Sequence, residues 1–115
     1  METELESMER TLSKLFAICA ADEVLEGEIK GAQLPDGTRI ALYNLNGAYY
    51  ATADTCTHEA ASLSEEGMVD DSSVVCGWHL CGFEIASGAA IASPCSEPLM
   101  TYPVRVIEGV LHVEH

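Results

Sequence analysis

From Lys14 onward, apolar residues come in short runs, each closed by residues that turn the chain. The runs Leu15–Cys19, Thr38–Tyr43, Ala48–Thr52, Val74–Cys76, Phe83–Ile85, Thr101–Ile107 and Val110–Val113 are too short for helices and rich in β-branched and aromatic side chains. They predict strands. The breaks between them have chemical causes. Pro35-Asp36-Gly37 combines a fixed φ with a residue free to take positive φ. Asn46-Gly47 between two tyrosine-bearing runs is a hairpin signal, and Ser87-Gly88 and Glu108-Gly109 are placed to close two more. Asp22–Glu26 predicts one helical turn after the first strand. Many short strands at close spacing predict an all-β fold, an antiparallel sandwich or barrel. No internal repeat is present.

Two stretches depart from this pattern. Residues 1–13 are acidic and carry Leu5, Met8 and Leu12 at helical spacing. They are read as an N-terminal extension, a disordered tail in preference to a short packed helix, ahead of one domain over 14–115. Residues 54–71 are poor in strand formers and predict a long loop. Loops of that length in compact domains are functional or disordered. Cys56 and His58 inside this one point to function.

Length, charge and cysteine content narrow the class. The 115 residues fit one domain, and 48% are apolar, enough for a core. The formal net charge is −14. Such a surface repels phosphate backbones and anionic lipid, so nucleic-acid and membrane partners are not expected. It suits partners with basic docking patches. The early apolar run, Leu15–Ala21, is short and follows an acidic rather than a basic segment, so it is not read as a secretory signal, and no segment is long enough to span a membrane. These features predict a cytoplasmic protein, in which the five cysteines are metal ligands, redox groups or small core residues.

Two motifs carry the chemistry: Cys56-Thr57-His58 and Cys76-Gly77-Trp78-His79, with 17 residues between His58 and Cys76. Each offers a thiolate and an imidazole on one tight turn, and two such turns make a four-ligand site. Zinc accepts two Cys and two His, but zinc fingers commonly place both cysteines in one motif. Here each motif is mixed, which suits two inequivalent metal ions, as in a [2Fe–2S] centre whose two irons take Cys and His ligands respectively.

With these residues in view the sequence resembles the bacterial Rieske-type ferredoxins that serve multicomponent ring-hydroxylating dioxygenases. The resemblance runs from Lys14 to Val113. It rests on the paired C-x-H and C-x-x-H motifs, on Leu63-Ser64 after the first and Ser87-Gly88 after the second, and on Pro94, Glu97-Pro98-Leu99 and Tyr102-Pro103-Val104 near the end. It implies that Cys56 and Cys76 ligate an inner iron, and His58 and His79 an outer, more exposed one. It implies a Rieske-type antiparallel β-sandwich with a small cluster-binding subdomain over about 54–96, in which the loop around Pro94 covers the cluster. It also implies the role of a one-electron carrier between a flavin-containing ferredoxin reductase and a terminal Rieske non-haem iron oxygenase, with no catalytic residue of its own. The alternatives are a small Rieske-like subunit of a nitrite reductase and a structural zinc-binding interaction module.

The respiratory relatives of this family carry a disulfide between the ligand loops and hydroxyl donors near the cluster. The corresponding positions here are Ala61 and Trp78, which cannot form a bridge, and Cys81 and Phe83, a weak donor and none. A potential in the lower part of the Rieske range of roughly −150 to +300 mV is expected. Cys81 and Cys95 are read as small packing residues and Cys19 as core. Thr57 and Glu59 are read as shaping the first loop and its surface, and Trp78 as a packing residue, a role compatible with shielding the cluster or joining a docking surface. His112, Glu114 and His115 have the composition of a facial triad, but strand alternation and a frayed chain end argue against one.

Overall fold

A computed structural model describes residues 14–57, 61–76, 81–92 and 97–115. Among the described residues the strands are β1 (Leu15–Ala20), β2 (Ile29–Gln33), β3 (Arg39–Leu45), β4 (Ala48–Ala53), β5 (Gly67–Asp70), β6 (Ser73–Cys76), β7 (Gly82–Glu84), β8 (Ala90–Ala92), β9 (Thr101–Tyr102), β10 (Val104–Ile107) and β11 (Val110–Glu114). One α-helical turn, α1 (Leu63–Glu66), and one 3₁₀ turn (Ala21–Glu23) complete them. All strand pairs are antiparallel, in three sheets ordered β1-β11-β10, β2-β3-β4-β9 and β5-β6-β7-β8. The expected all-β class is what the chain adopts.

Strand β3 organises both cores. Its residues Ile40, Ala41, Leu42 and Tyr43 are all buried. Side chains alternate across a strand, so Ile40 and Leu42 enter one core with Val24, Leu34, Ala51, Leu111 and Val113. Ala41 and Tyr43 enter the other, with Cys56, Leu63, Val74, Cys76, Cys81, Phe83, Ile85 and Leu99. The central sheet is thus sandwiched, with the terminal strands on one face and the β5–β8 sheet on the other. A strand buried on both faces reads as a continuous apolar run, which is why β3 is plain in the sequence.

The turns follow their residue chemistry. Asn46 (φ 54°) and Gly47 (φ 89°) join β3 to β4 with both central residues left-handed, as a type I′ turn requires, and the Gly47 N–H donates to Asn44 Oδ1 at 2.8 Å. Glu108 and Gly109 repeat the pattern between β10 and β11. At Pro35-Asp36-Gly37 the Gly37 N–H donates to the Leu34 carbonyl (2.9 Å) and the Leu34 N–H to the Thr38 carbonyl (2.8 Å). This is a three-residue hairpin loop with Gly37 left-handed.

The structure corrects several expectations. Residues 54–71 are not one long loop: they include α1 and β5, organised by contacts from Asp54 and β6 rather than by local propensity. The run Thr101–Ile107 is two strands, because Pro103 has no N–H to donate and the chain changes sheets there. Strands β2, β5 and β8 are legible only in three dimensions, since Ile29–Gln33, Gly67–Asp70 and Ala90–Ala92 carry glycine, lysine or alanine where strand formers are expected. His115 is not frayed. It exchanges backbone hydrogen bonds with Lys14 (2.8 and 2.9 Å), its Nε2 meets Asp36 Oδ2 at 2.9 Å, and its ring stands edge-on to Tyr102. The His115 contact and the Thr38 hydrogen bonds, of which Thr38's are the larger influence, hold the Asp36 carboxyl down at about 2. His112 Nδ1 faces the Val110 carbonyl at 3.0 Å. With His115 committed to Asp36, the facial-triad composition forms no site. The N-terminal extension, 1–13, lies outside the described residues.

Candidate metal centre

Two loops each start at a motif cysteine, one after β4 and one at the end of β6. Cys56 follows Thr55, which bridges to Ser62 across the first loop. Cys76 is the last residue of β6, paired with Gly67. Both loops close in the same way. The Cys56 N–H donates to the Ala61 carbonyl at 2.9 Å, and the Cys76 N–H donates to the Cys81 carbonyl at 2.8 Å. Each cysteine therefore stands at the base of a loop whose fifth following residue returns to bond it.

Both cysteines are almost fully buried, at 3% and 1% exposure, and belong to the same apolar core. Neither is in a disulfide. Leu63, Phe83 and Leu99 are buried in that same core. Two thiols brought into one dry core at the bases of two matching loops are a suitable donor set for the sulfur-ligated iron of a [2Fe–2S] cluster. His58 and His79 lie outside the described residues, as do Glu59, Trp78 and Cys95. Among the described residues no three metal-ligating side chains stand together. Cys19 belongs to the other core, as expected, and burial pushes its thiol pKa up. Cys81 is buried as read, but it is disulfide-bonded, which corrects its reading as a packing thiol.

Sequence reasoning did not single out Asp54. It is 1% exposed. Its Oδ2 accepts the Ser62 hydroxyl proton at 2.6 Å, its Oδ1 accepts the Ser64 N–H at 2.9 Å, and its carbonyl accepts the Leu63 N–H at 2.7 Å. Arg39 Nε stands 3.7 Å from Oδ2. The first four N–H groups of a helix have no partner within it; Asp54 serves two of those of α1, from nine and ten residues away. Seating α1 also requires Gly31 on β2, where a Cβ would come within 2.6 Å of Ser64 Oγ. A second tie runs from Thr57, whose hydroxyl donates to the Glu97 carbonyl at 2.9 Å and joins the first loop to the segment after Pro94. Beneath the site Tyr43 donates to Thr52 Oγ1 at 2.8 Å, and Thr52 donates to the Ala53 carbonyl. Burial holds the Tyr43 hydroxyl pKa far above the ordinary phenol value.

An antiparallel β-scaffold that buries two loop cysteines in one apolar core fits the class of iron–sulfur electron-transfer domains. Residues 14–103 match the model of the Rieske [2Fe–2S] domain, and the chain belongs to that family. Its cofactor is accordingly a Rieske-type [2Fe–2S] cluster. The ferredoxin component of the p-cumate 2,3-dioxygenase system of Pseudomonas putida is 46% identical over 103 residues, which are 90% of this chain and 87% of that protein. A chain from the solved complex of reduced oxygenase and oxidised ferredoxin in carbazole 1,9a-dioxygenase superposes with a TM-score of 0.80 at 37% identity, over 85% of this chain and 99% of that one. An NADH-dependent nitrite reductase small subunit from Mycobacterium tuberculosis, so described, superposes with a TM-score of 0.81 at 26% identity, over 90% and 96%.

Proposed function

We propose that this chain is the ferredoxin component of an aromatic-ring dioxygenase system, carrying one electron at a time from a flavin-containing reductase to a terminal oxygenase. The observation that carries the reading is the pair of buried cysteines on matching loops, in a chain of this family with 46% identity to a dioxygenase ferredoxin. The ligand set we propose is Cys56, His58, Cys76 and His79, within a cluster-binding subdomain over about 54–96 of a domain over 14–115. The full C-x-H and C-x-x-H set also favours a carrier over a nitrite reductase subunit in which the fold serves only for assembly. We further propose a cytoplasmic location, where such a carrier would meet its reductase and oxygenase; separately, among the described residues no helix is long and apolar enough to cross a membrane.

When bound, the cluster supplies a one-electron couple. The chain's own residues do the rest. Cys56 and Cys76 would hold one iron as thiolates, and the backbone bonds to Ala61 and Cys81 close the bases of their two loops. Leu63, Phe83 and Leu99 keep water from the sulfur side. Close packing keeps the scaffold from rearranging when charge changes. No residue is asked to make or break a bond in a substrate, so the chain is an electron-transfer component and not itself an enzyme.

Two measurements test this reading. The purified protein is expected to be red-brown and, after dithionite reduction, to give an electron paramagnetic signal with average g below 2; a colourless protein containing zinc would refute it. The same reduction, followed by potentiometry, is expected to give a midpoint in the lower part of the range of roughly −150 to +300 mV, because Cys81 and Phe83 carry no hydroxyl; a midpoint well above zero would contradict that expectation. The second measurement is the salt dependence of electron transfer. With a net charge of −14, encounter with basic partner surfaces is electrostatically assisted. Raising ionic strength from about 10 mM to about 150 mM shortens the Debye length from roughly 30 to 8 Å and should slow transfer. An unchanged second-order rate would refute charge-assisted docking.

A further inference from the structure

The first ligand loop is held by a buried carboxylate, Asp54, two residues before Cys56. We infer that Asp54 is the positioning residue of the Cys56 loop, closing the chain around it by capping α1 from a distance. This inference rests on the reading of Cys56 as a cluster ligand.

The case begins with topology. Asp54 directly follows β4, and Ser62 and Ser64 lie beyond the tip of the loop. The three Asp54 contacts, to Ser62 Oγ, Ser64 N and Leu63 N, all bridge the two ends of this one loop. Ser62 occupies the N-cap position of α1 yet makes no side-chain cap bond of its own, and its hydroxyl is turned to Asp54 instead. The cap that α1 would ordinarily receive from its own neighbour is thus supplied by the residue two before Cys56. Breaking it releases α1 and the far end of the loop together.

The network is supported from behind. Arg39 lies between Asp54 Oδ2 (3.7 Å) and Glu65 Oε2 (3.8 Å), so one guanidinium spans the capping carboxylate and the turn it caps. Ser62 Oγ and Ser64 Oγ are 3.1 Å apart. Leu63, between the two serines, is fully buried in the same core as Cys56 and Cys76. A shift in α1 therefore moves a wall of the cysteine core. Cys76, by contrast, is placed within the ladders that β6 forms with β5 and β7.

The test compares holoproteins of wild type, Asp54→Ala, Asp54→Asn and Asn44→Ala. Asparagine keeps an oxygen for the Ser64 N–H, and its amide can donate to Ser62 Oγ, so Asp54→Asn retains the clip. Asn44→Ala removes the side chain that donates to the Val24 carbonyl and accepts from the Gly47 N–H at the far hairpin. It serves as a control for general destabilisation. Iron and acid-labile sulfide per chain, the rate of cluster loss to a strong chelator, and the paramagnetic signal are read for each. Asp54→Ala is expected to lose its cluster about 10-fold faster than wild type or more, with an altered signal. Asp54→Asn should stay near the wild-type rate, and so should Asn44→Ala even where its melting temperature falls. Cluster loss from Asp54→Ala at the wild-type rate would overturn the inference while leaving the carrier reading intact. So would equally fast loss from Asn44→Ala at a matched fall in melting temperature. A wild-type protein that binds no [2Fe–2S] cluster overturns the carrier reading, and this inference with it.

Discussion

Replacing Cys76 by alanine is expected to yield a protein with no [2Fe–2S] cluster, no visible colour and no paramagnetic signal on reduction. Cys76 stands at the end of β6, 1% exposed, with its N–H committed to the Cys81 carbonyl. The backbone there is held by ladders to β5 and β7 that do not depend on the side chain, so the site is lost without loss of the strand. What remains is a donor set short of one thiolate, and neither of the other described cysteines outside the proposed ligand set is placed to replace it. Cys81 is disulfide-bonded and Cys19 lies in the other core. Since metal binding contributes to folding free energy where the site is absent from the unfolded chain, the variant should also melt below the holoprotein. Cys19→Ala, by contrast, should keep full iron content. Iron and sulfide analysis with paramagnetic resonance decides the matter, and a Cys76→Ala protein with the wild-type signal would remove Cys76 from the ligand set.

The second large effect is structural. Gly88→Ala should destabilise the fold by about 3 kcal/mol, the sum of about 1–2 kcal/mol for a side chain in left-handed backbone and about 1–3 kcal/mol for overpacking. Gly88 has φ 79° and is buried. A Cβ built there would fall inside the van der Waals surface of the Leu99 carbonyl oxygen and 3.0 Å from Thr101 Cγ2. Those neighbours cannot give way easily, because the Leu99 N–H donates to the Gly88 carbonyl at 2.8 Å and Leu99 is packed in the cysteine core. The strap that Thr57 grips at Glu97 runs directly into this contact. A fall in melting temperature of roughly 10–20 °C is expected by calorimetry for a domain of this size. Gly109→Ala is the comparison: it has the same φ of 79° but nothing within 4 Å of a built Cβ. It should lose only the backbone share, about 1–2 kcal/mol. Equal losses at the two positions would show that crowding against Leu99 is unimportant.

The two expectations differ in how visible they are before folding. Cys76 is conspicuous because metal chemistry demands particular residue types at short spacing. Gly88 is conspicuous only as a turn residue; that its carbonyl receives Leu99 depends on chain eleven positions away. Asp54 shows the same limit more strongly. In the sequence it is one acid among 19, and nothing nearby marks it as buried. Its value comes from Ser62 and Ser64 returning to it after the loop. A pattern of an acid before the first motif and two serines after it was the available signal, but each member is common in surface loops.

The sequence alone determined the strand-rich class, the hairpin turns at Asn46-Gly47 and Glu108-Gly109, and the paired Cys/His motifs. These are properties of adjacent residues, where φ preference, alternation and ligand chemistry act over a few positions. Tertiary structure decided what depends on distant segments meeting. It buried β3 on both faces, made strands of Ile29–Gln33, Gly67–Asp70 and Ala90–Ala92 against their weak propensity, and split Thr101–Ile107 at Pro103. It held His115 against Asp36 and turned much of the stretch after Asp54 from open loop into a capped helical turn and a strand. The physical reason is that burial and cross-strand hydrogen bonding outweigh local preferences of a few tenths of a kcal/mol per residue, and both are set by partners that no local window of the chain contains.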